Sequence, residues 1–366
     1  MKIDLLNVTE FFVLISDDLI ETGDSMPVLF DPSRHGSREF MLKFIFTFGL
    51  IVSGLSIGYG IQALVRRKVF DLPLPLLDRL RRFLVKLVLL FFNPIAIVGA
   101  LWTLRMNDGR LAAFPVLEVF AILLGGFLAL GASRILRLER RRTGSLFACG
   151  FFTNTYSIGG LVCYFFLGEM GFAFVAFYRV FEELMYYGVG FPVARLYGAD
   201  TYEKETWRDK VKRLGTDIFV LVSLASLLTG GLLNLSGLKR PEIYQSINSV
   251  LIPLGTLVFL VSIGLAMRIR KIQDYLKECV AVSAVKFLIV PVILTLTAFL
   301  LGYGMIEEGL PLKVVMILSS MPVAFTSLVP PALYDLDIDL ANSCWLFTTS
   351  LLVVVLPVLY IATNSI

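Results

Sequence analysis

One histidine, His35, is all the chain has, so a histidine metal cluster, a histidine proton relay and a nucleophile–histidine pair are all excluded. The four cysteines, Cys149, Cys163, Cys279 and Cys344, each lie inside or at the edge of an apolar segment, with no C-x-x-C pair. They read as small apolar side chains rather than as disulfide partners or metal ligands. Charge is scarce as well: 17% of the 366 residues are charged against 57% hydrophobic, and the mean hydropathy is +0.80. So little charge cannot cover a soluble domain of this length, so the chain reads as a polytopic membrane protein. No enzymatic activity, cofactor, metal or nucleic-acid partner is expected.

Nor do the first residues read as a secretory signal. The first residues carry one lysine, then the weakly apolar "LLNVTEFFVLI", broken by Glu10 and followed by Asp17 and Asp18. Residues 1–40 read as an acidic leader.

What is abundant is apolar sequence. A membrane span needs about 17–25 apolar residues, and ten segments fit: 41–65, 83–104, 112–135, 143–168, 170–196, 215–236, 246–267, 279–303, 311–333 and 341–363. The loop after span 1 carries six Lys/Arg, "RILRLERRR" five, the segment Arg195–Arg213 six and "RIRKIQDYLK" four. The alternating loops carry two, none, two and one. The richer set is expected in the cytoplasm, which puts both termini and the leader outside, with the plasma (inner) membrane as the expected location. "YDLDIDL" carries only acids on the inner side, but acids weigh little in the rule. Five spans per half must insert in opposite senses. Pro94 answers to Pro253, 159 residues on, and Gly159 to Pro322, 163 residues on. The reading is an all-α polytopic membrane protein with ten transmembrane helices as a 5+5 inverted repeat. Residues 41–197 and 215–366 are the repeats and 198–214 is a cytoplasmic linker. Inverted repeats are associated with secondary transporters.

Two spans are interrupted. Span 4 contains "TNTYSIGG", with Thr153, Asn154, Thr155, Ser157, Gly159 and Gly160. Span 9 contains "LSSMPVAFTSLVPP", with Ser320, Pro322, Thr326 and Ser327. Proline removes a backbone donor and adjacent glycines loosen a helix, so the breaks are expected at Pro322 and at Gly159–Gly160. Such residues also serve as packing and kink positions in membrane helices. A matched pair in opposed halves points instead to a midplane site. A helix restarting there offers free N–H groups to an anion, with Asn154 and the hydroxyls as further donors.

Span 5 carries "FYRVFEELMYYG". Each charge at mid-membrane costs at least about 2.5–3.5 kcal/mol on insertion scales. On an α-helix Arg179, Glu183 and Tyr186 share a face, so an Arg179–Glu183 pair is expected, leaving Glu182 as a surplus carboxyl. That group is either a proton carrier or part of a structural ion network. Lys286 in span 8 either snorkels to the inner surface or reaches the cavity between the breaks.

Several stretches resemble the auxin efflux carrier family, the PIN-like group that includes bacterial malate-permease-type proteins. They are "SIGYGIQALVRRKVFDLPLPLLDRLRRFLVKLVLLFFNPIAIV", "FFTNTYSIGGLVCYFFLGEMGFAFVAFYRVFEELMYYGVG", "KFLIVPVILTL" and "MPVAFTSLVPPALYDLDIDLANSCWLFTTSLLVVVLPVL". The likeness runs from about residue 50 to the C-terminus and rests on the order of the motifs. Where the family carries Gly-x-Pro in the first break, this chain has Leu161 after Gly159 and Gly160, and the Arg179/Glu182/Glu183 cluster stands outside the family pattern. The resemblance implies a scaffold of helices 1, 2, 6 and 7 and a moving core of helices 3–5 and 8–10. Broken helices 4 and 9 would cross in that core, and dimerisation would run through the scaffold. It further implies that Asn154 contacts cargo and that Pro322 shapes the second crossing.

The expected function is secondary active transport of small carboxylates, malate-like or aromatic, by alternating access, with a proton or sodium as coupling ion. The alternatives are a sodium-coupled symporter of the bile-acid type and a non-transporting sensor or scaffold. Neither break contains an acid to help hold sodium.

Overall fold

The computed structural model describes residues 35–67, 73–104, 108–198, 216, 218–267 and 272–366. The leader, up to residue 34, and the linker beyond Gly198 lie outside the described residues. Residues 43–366 group as one unit, which holds every contact below. Residues 1–42 group separately and are described from His35 on, as the first turns of a helix.

The described residues are helical throughout, with a single isolated β-bridge and no strands. α1 spans His35–Arg66, α2 Leu74–Leu87 and α3 Asn93–Leu101. α4 is Phe114–Ile135, α5 Arg140–Phe151 and α6 Ser157–Tyr178, followed by the short α7 Glu182–Met185 and α8 Phe191–Arg195. α9 is Ile218–Leu235, α10 Ile243–Gly264, α11 Leu276–Ala284 and α12 Val290–Leu300. α13 is Leu310–Ser319, α14 Val329–Leu333, α15 Ile338–Ser350 and α16 Leu352–Ser365.

Seven runs are long and apolar enough to cross a bilayer, and α15 with α16, bent by 47°, makes an eighth. The chain is therefore a polytopic membrane protein. Of the ten expected spans, 143–168 and 311–333 do not appear as single helices. Each is interrupted, and α5 and α13 have only 12 and 10 residues. The longest run, Ser157–Arg195, is not one rod. Gly168 sits at φ 73°, ψ −168°, which no helix carries, so α6 is two arms folded at that glycine.

Prolines inside the apolar runs are absorbed in a recurrent way. Pro94, Pro192 and Pro291 each stand second in a helix, directly after a five-residue π-turn: Val88–Phe92, Tyr186–Gly190 and Val285–Ile289. The widened turn makes room for the proline ring where the regular ladder would clash and lose a bond. Pro253, the expected counterpart of Pro94, lies instead within the uninterrupted α10.

Helices approach closely through small residues. A Cβ on Gly58 would stand 2.1 Å from the Val261 carbonyl oxygen, so α1 and α10 cross backbone to backbone. A Cβ on Gly125 would stand 2.4 Å from the Gly150 oxygen, which brings α4 against α5 in the same way. The purely acidic "YDLDIDL" has a local role: the Asp337 carboxylate accepts the Leu340 N–H at 3.0 Å and caps α15.

Candidate functional site

The two interruptions meet. Thr153 and Val323 form an antiparallel bridge; the Asn154 N–H donates to the Pro322 carbonyl at 2.9 Å and the Ala324 N–H to the Phe152 carbonyl at 3.1 Å. Each extended segment thus satisfies the backbone of the other, which unwound chain at membrane depth requires. The second segment is steadied by Thr348 of α15, whose hydroxyl accepts the Val323 N–H at 3.2 Å.

The first break lies at Phe152–Tyr156, not at Gly159–Gly160 as expected. Both glycines are in the opening turn of α6, and their use is closeness. A Cβ on Gly159 would stand 2.8 Å from Leu318 and 3.1 Å from Met321, beside the second break, and one on Gly160 would stand 3.2 Å from Phe172. Nor are the first N–H groups of α6 free. Asn154 takes the Ile158 N–H on its side-chain oxygen at 3.2 Å and the Gly159 N–H on its carbonyl at 3.1 Å. Its Oδ1 also accepts from Ser157 Oγ. The Asn154 side-chain carbonyl thus serves an opening N–H group of α6 from two residues before its N-cap position, Tyr156, while its side-chain amide nitrogen donates to no described group.

Span 5 departs from the α-helical phase expected of it. Arg179–Phe181 is a 3₁₀ turn, which brings position i+3 rather than i+4 onto the face of Arg179. Arg179 therefore pairs with Glu182, not with Glu183. Glu182, 2% exposed, also accepts from Thr155 Oγ1 at 2.6 Å. Arg179 Nε donates to that same hydroxyl at 3.1 Å, and the guanidinium lies 4.5 Å from the centre of the Tyr156 ring. The Tyr186 hydroxyl accepts the Thr153 N–H at 3.1 Å. Its proton lies between Glu182 Oε1 at 2.9 Å and the Thr153 carbonyl at 3.1 Å.

Lys286 does not snorkel. It stands in the π-turn Val285–Ile289, is 2% exposed and donates to Thr153 Oγ1. Among the described residues it has no ion-pair partner. Residues 153–155 thus join the buried Lys286 amine on one side to a buried Arg–Glu–Tyr network on the other.

The second break contributes less than expected. Ser320 Oγ bonds back to the Met316 carbonyl at 2.7 Å, Thr326 is exposed, and Ser327 Oγ is buried without a hydrogen-bond partner. Pro322 takes part through its carbonyl alone. A pocket of about 190 Å³, with Ser133, Arg134, Arg137 and Tyr197 in its lining, includes no residue of either break.

Glu118 of α4 was not anticipated. It is within electrostatic reach of Arg179, Glu182 and Glu183. The signal was present: a single acid in the apolar "FPVLEVFAILLGG". Thr348 had none, being one hydroxyl among several in its helix.

No family model matches the chain. It is 25% identical over 247 residues to a protein of Methanothermobacter thermautotrophicus called an uncharacterized transporter, covering 68% of this chain and 77% of that one. It is 29% identical over 251 residues to a protein of the same description from Methanocaldococcus jannaschii, covering 66% and 76%.

Proposed function

We propose that this protein is a secondary carrier of small organic anions that works by alternating access. Lys286 carries the reading. A buried ammonium with one neutral acceptor and, among the described residues, no counter-charge is costly to keep in an apolar interior, and an anionic cargo at the crossing would supply the missing charge. The amide nitrogen of Asn154 adds a donor on the same three-residue segment. Resemblance to proteins named transporters supports the class. The antiparallel crossing supports counting the two interrupted segments as broken spans, giving ten crossings in two opposed halves of the auxin-carrier plan. In that plan the groups around the crossing belong to the moving core, and α1–α3, α9 and α10 to the scaffold.

The test is uptake of labelled malate and of an aromatic carboxylate into proteoliposomes, with a proton gradient, a sodium gradient or none. Saturable uptake is expected, lost in Lys286→Met and partly kept in Lys286→Arg. Uptake that survives Lys286→Met in folded protein would remove the ammonium from the site and sink the proposal.

A further inference from the structure

Glu118 lies one turn along α4 from Phe114, whose ring packs on Phe174, Tyr178 and Tyr303. It is 1% exposed, and neither carboxylate oxygen has a hydrogen-bond partner among the described residues. The buried hydroxyl of Tyr178, within electrostatic reach of Glu118, is also without one. Every other group facing this place is accounted for. Arg179 is committed to Glu182 and Thr155. Tyr186 is committed to Thr153 and Glu182. Lys286, packed near Gly125 two turns along α4, is bonded to Thr153. Glu182 and Glu183 add only negative charge, and Tyr303 gives its hydroxyl to the Arg110 carbonyl at 2.9 Å.

An ionised carboxylate in this setting would lose its hydration, gain no donor and stand near two other carboxyls, with Arg179 within reach but already paired with Glu182. Burying a charge with no hydrogen bond to it is costly in an apolar interior. A proton on Glu118 removes the charge and turns the group into a donor.

We propose that Glu118 is the proton-binding carboxyl of this protein. It holds the proton in the conformation seen here and gives it to water when the contact between α4 and the Arg179–Phe181 turn opens. The O–H bond breaks, the carboxylate keeps the electron pair, and Arg179 is the cation within reach of the charge left behind. The proton would then be the coupling ion of the carrier proposed above; that role, though not the site, rests on the carrier reading.

The site is tested without cargo. Infrared spectra of the full-length protein in neutral phosphatidylcholine vesicles, taken across pH, read the carbonyl stretch of a protonated carboxyl. A band is expected at neutral pH in the wild type, lost in Glu118→Gln and kept in Glu182→Gln. If Glu118→Gln does not fold, Glu118→Asp must shift the band in frequency. No band in the wild type, a band that survives Glu118→Gln, or one unmoved by Glu118→Asp overturns the assignment. Failure of carboxylate uptake would leave this spectrum unchanged, and failure of the spectrum would leave the uptake result standing.

Discussion

Asn154 and Pro322, one from each interrupted helix, are joined backbone to backbone, the amide of Asn154 donating to the carbonyl of Pro322 at 2.9 Å. Proline cannot donate but accepts as well as any residue, so the crossing uses it where its defect is harmless. Asn154 meanwhile has two side-chain ends with different tasks, and they can be separated.

Asn154→Ala removes the side-chain acceptor of the Ile158 N–H and the Ser157 hydroxyl and should cost about 1–3 kcal/mol of stability, read as a lower Tm in detergent. Asn154→Asp keeps the acceptor oxygen and deletes the free amide donor. It should fold with a near-normal Tm and, on the carrier proposal, fail to take up anions. An active Asn154→Asp would leave the residue with a structural role only.

Gly150→Ala should destabilise by about 1–3 kcal/mol through overpacking, because its Cβ would lie 2.4 Å from Ala129 Cβ and 2.5 Å from the Gly125 oxygen. Gly131→Ala, in α4 with nothing within 4 Å, is the control and should lose no stability. Thermal unfolding of the two variants side by side checks the claim; equal behaviour would refute close packing of α4 on α5.

Glu169, the residue after the fold in α6, binds Arg240 through both carboxylate oxygens; Arg240 also donates to the Gly99 carbonyl at 2.9 Å, and Asn248 of α10 donates to Glu169. Hydrogen bonds to charged groups are worth about 1.5–3 kcal/mol. Glu169→Gln and Arg240→Gln should each lower stability by that order, and the double variant by clearly less than the sum. A double-mutant cycle in Tm that comes out additive would mean the pair is not coupled.

Asp108 lies outside the membrane runs, and the Arg110 side chain and backbone N–H hold its carboxyl down at about 2, against an ordinary 3.8. A depressed folded value means the contribution is present above the unfolded value, around pH 4, and is lost as the pH falls through about 2. The Tm difference between wild type and Asp108→Asn should therefore be constant from neutral pH to about 4 and shrink below it. A difference that persisted unchanged at the acid limit would exclude this ion pair as its source.

Polar and helix-breaking residues inside apolar runs are conspicuous, so the two interruptions could be read from the chain, and Pro322 marks its break correctly. The first break was legible only to within several residues. Gly159 and Gly160 loosen a helix in principle, yet here their missing side chains let α6 approach Leu318 and Phe172. The partner of Arg179 was not legible, because an α-helical wheel assumes 100° per residue and the 3₁₀ turn turns further. The place of Lys286 depended on a helix packing that periodicity does not encode. Glu118 was in plain view as an unaccompanied acid, and only its lack of partners needed the structure.

Two of the π-turns carry side chains of the crossing: Lys286 stands in Val285–Ile289 and Tyr186 opens Tyr186–Gly190. At each, the backbone ladder has already changed register and the proline that follows has no bond to lose. A ladder interrupted in this way twists more readily at the interruption than along its length. The Lys286 amine and the Tyr186 phenol that grip Thr153 therefore ride on joints rather than on rods. On the carrier reading, a rotation at either joint would move Lys286 or Tyr186 against Thr153 while leaving the helices on both sides intact.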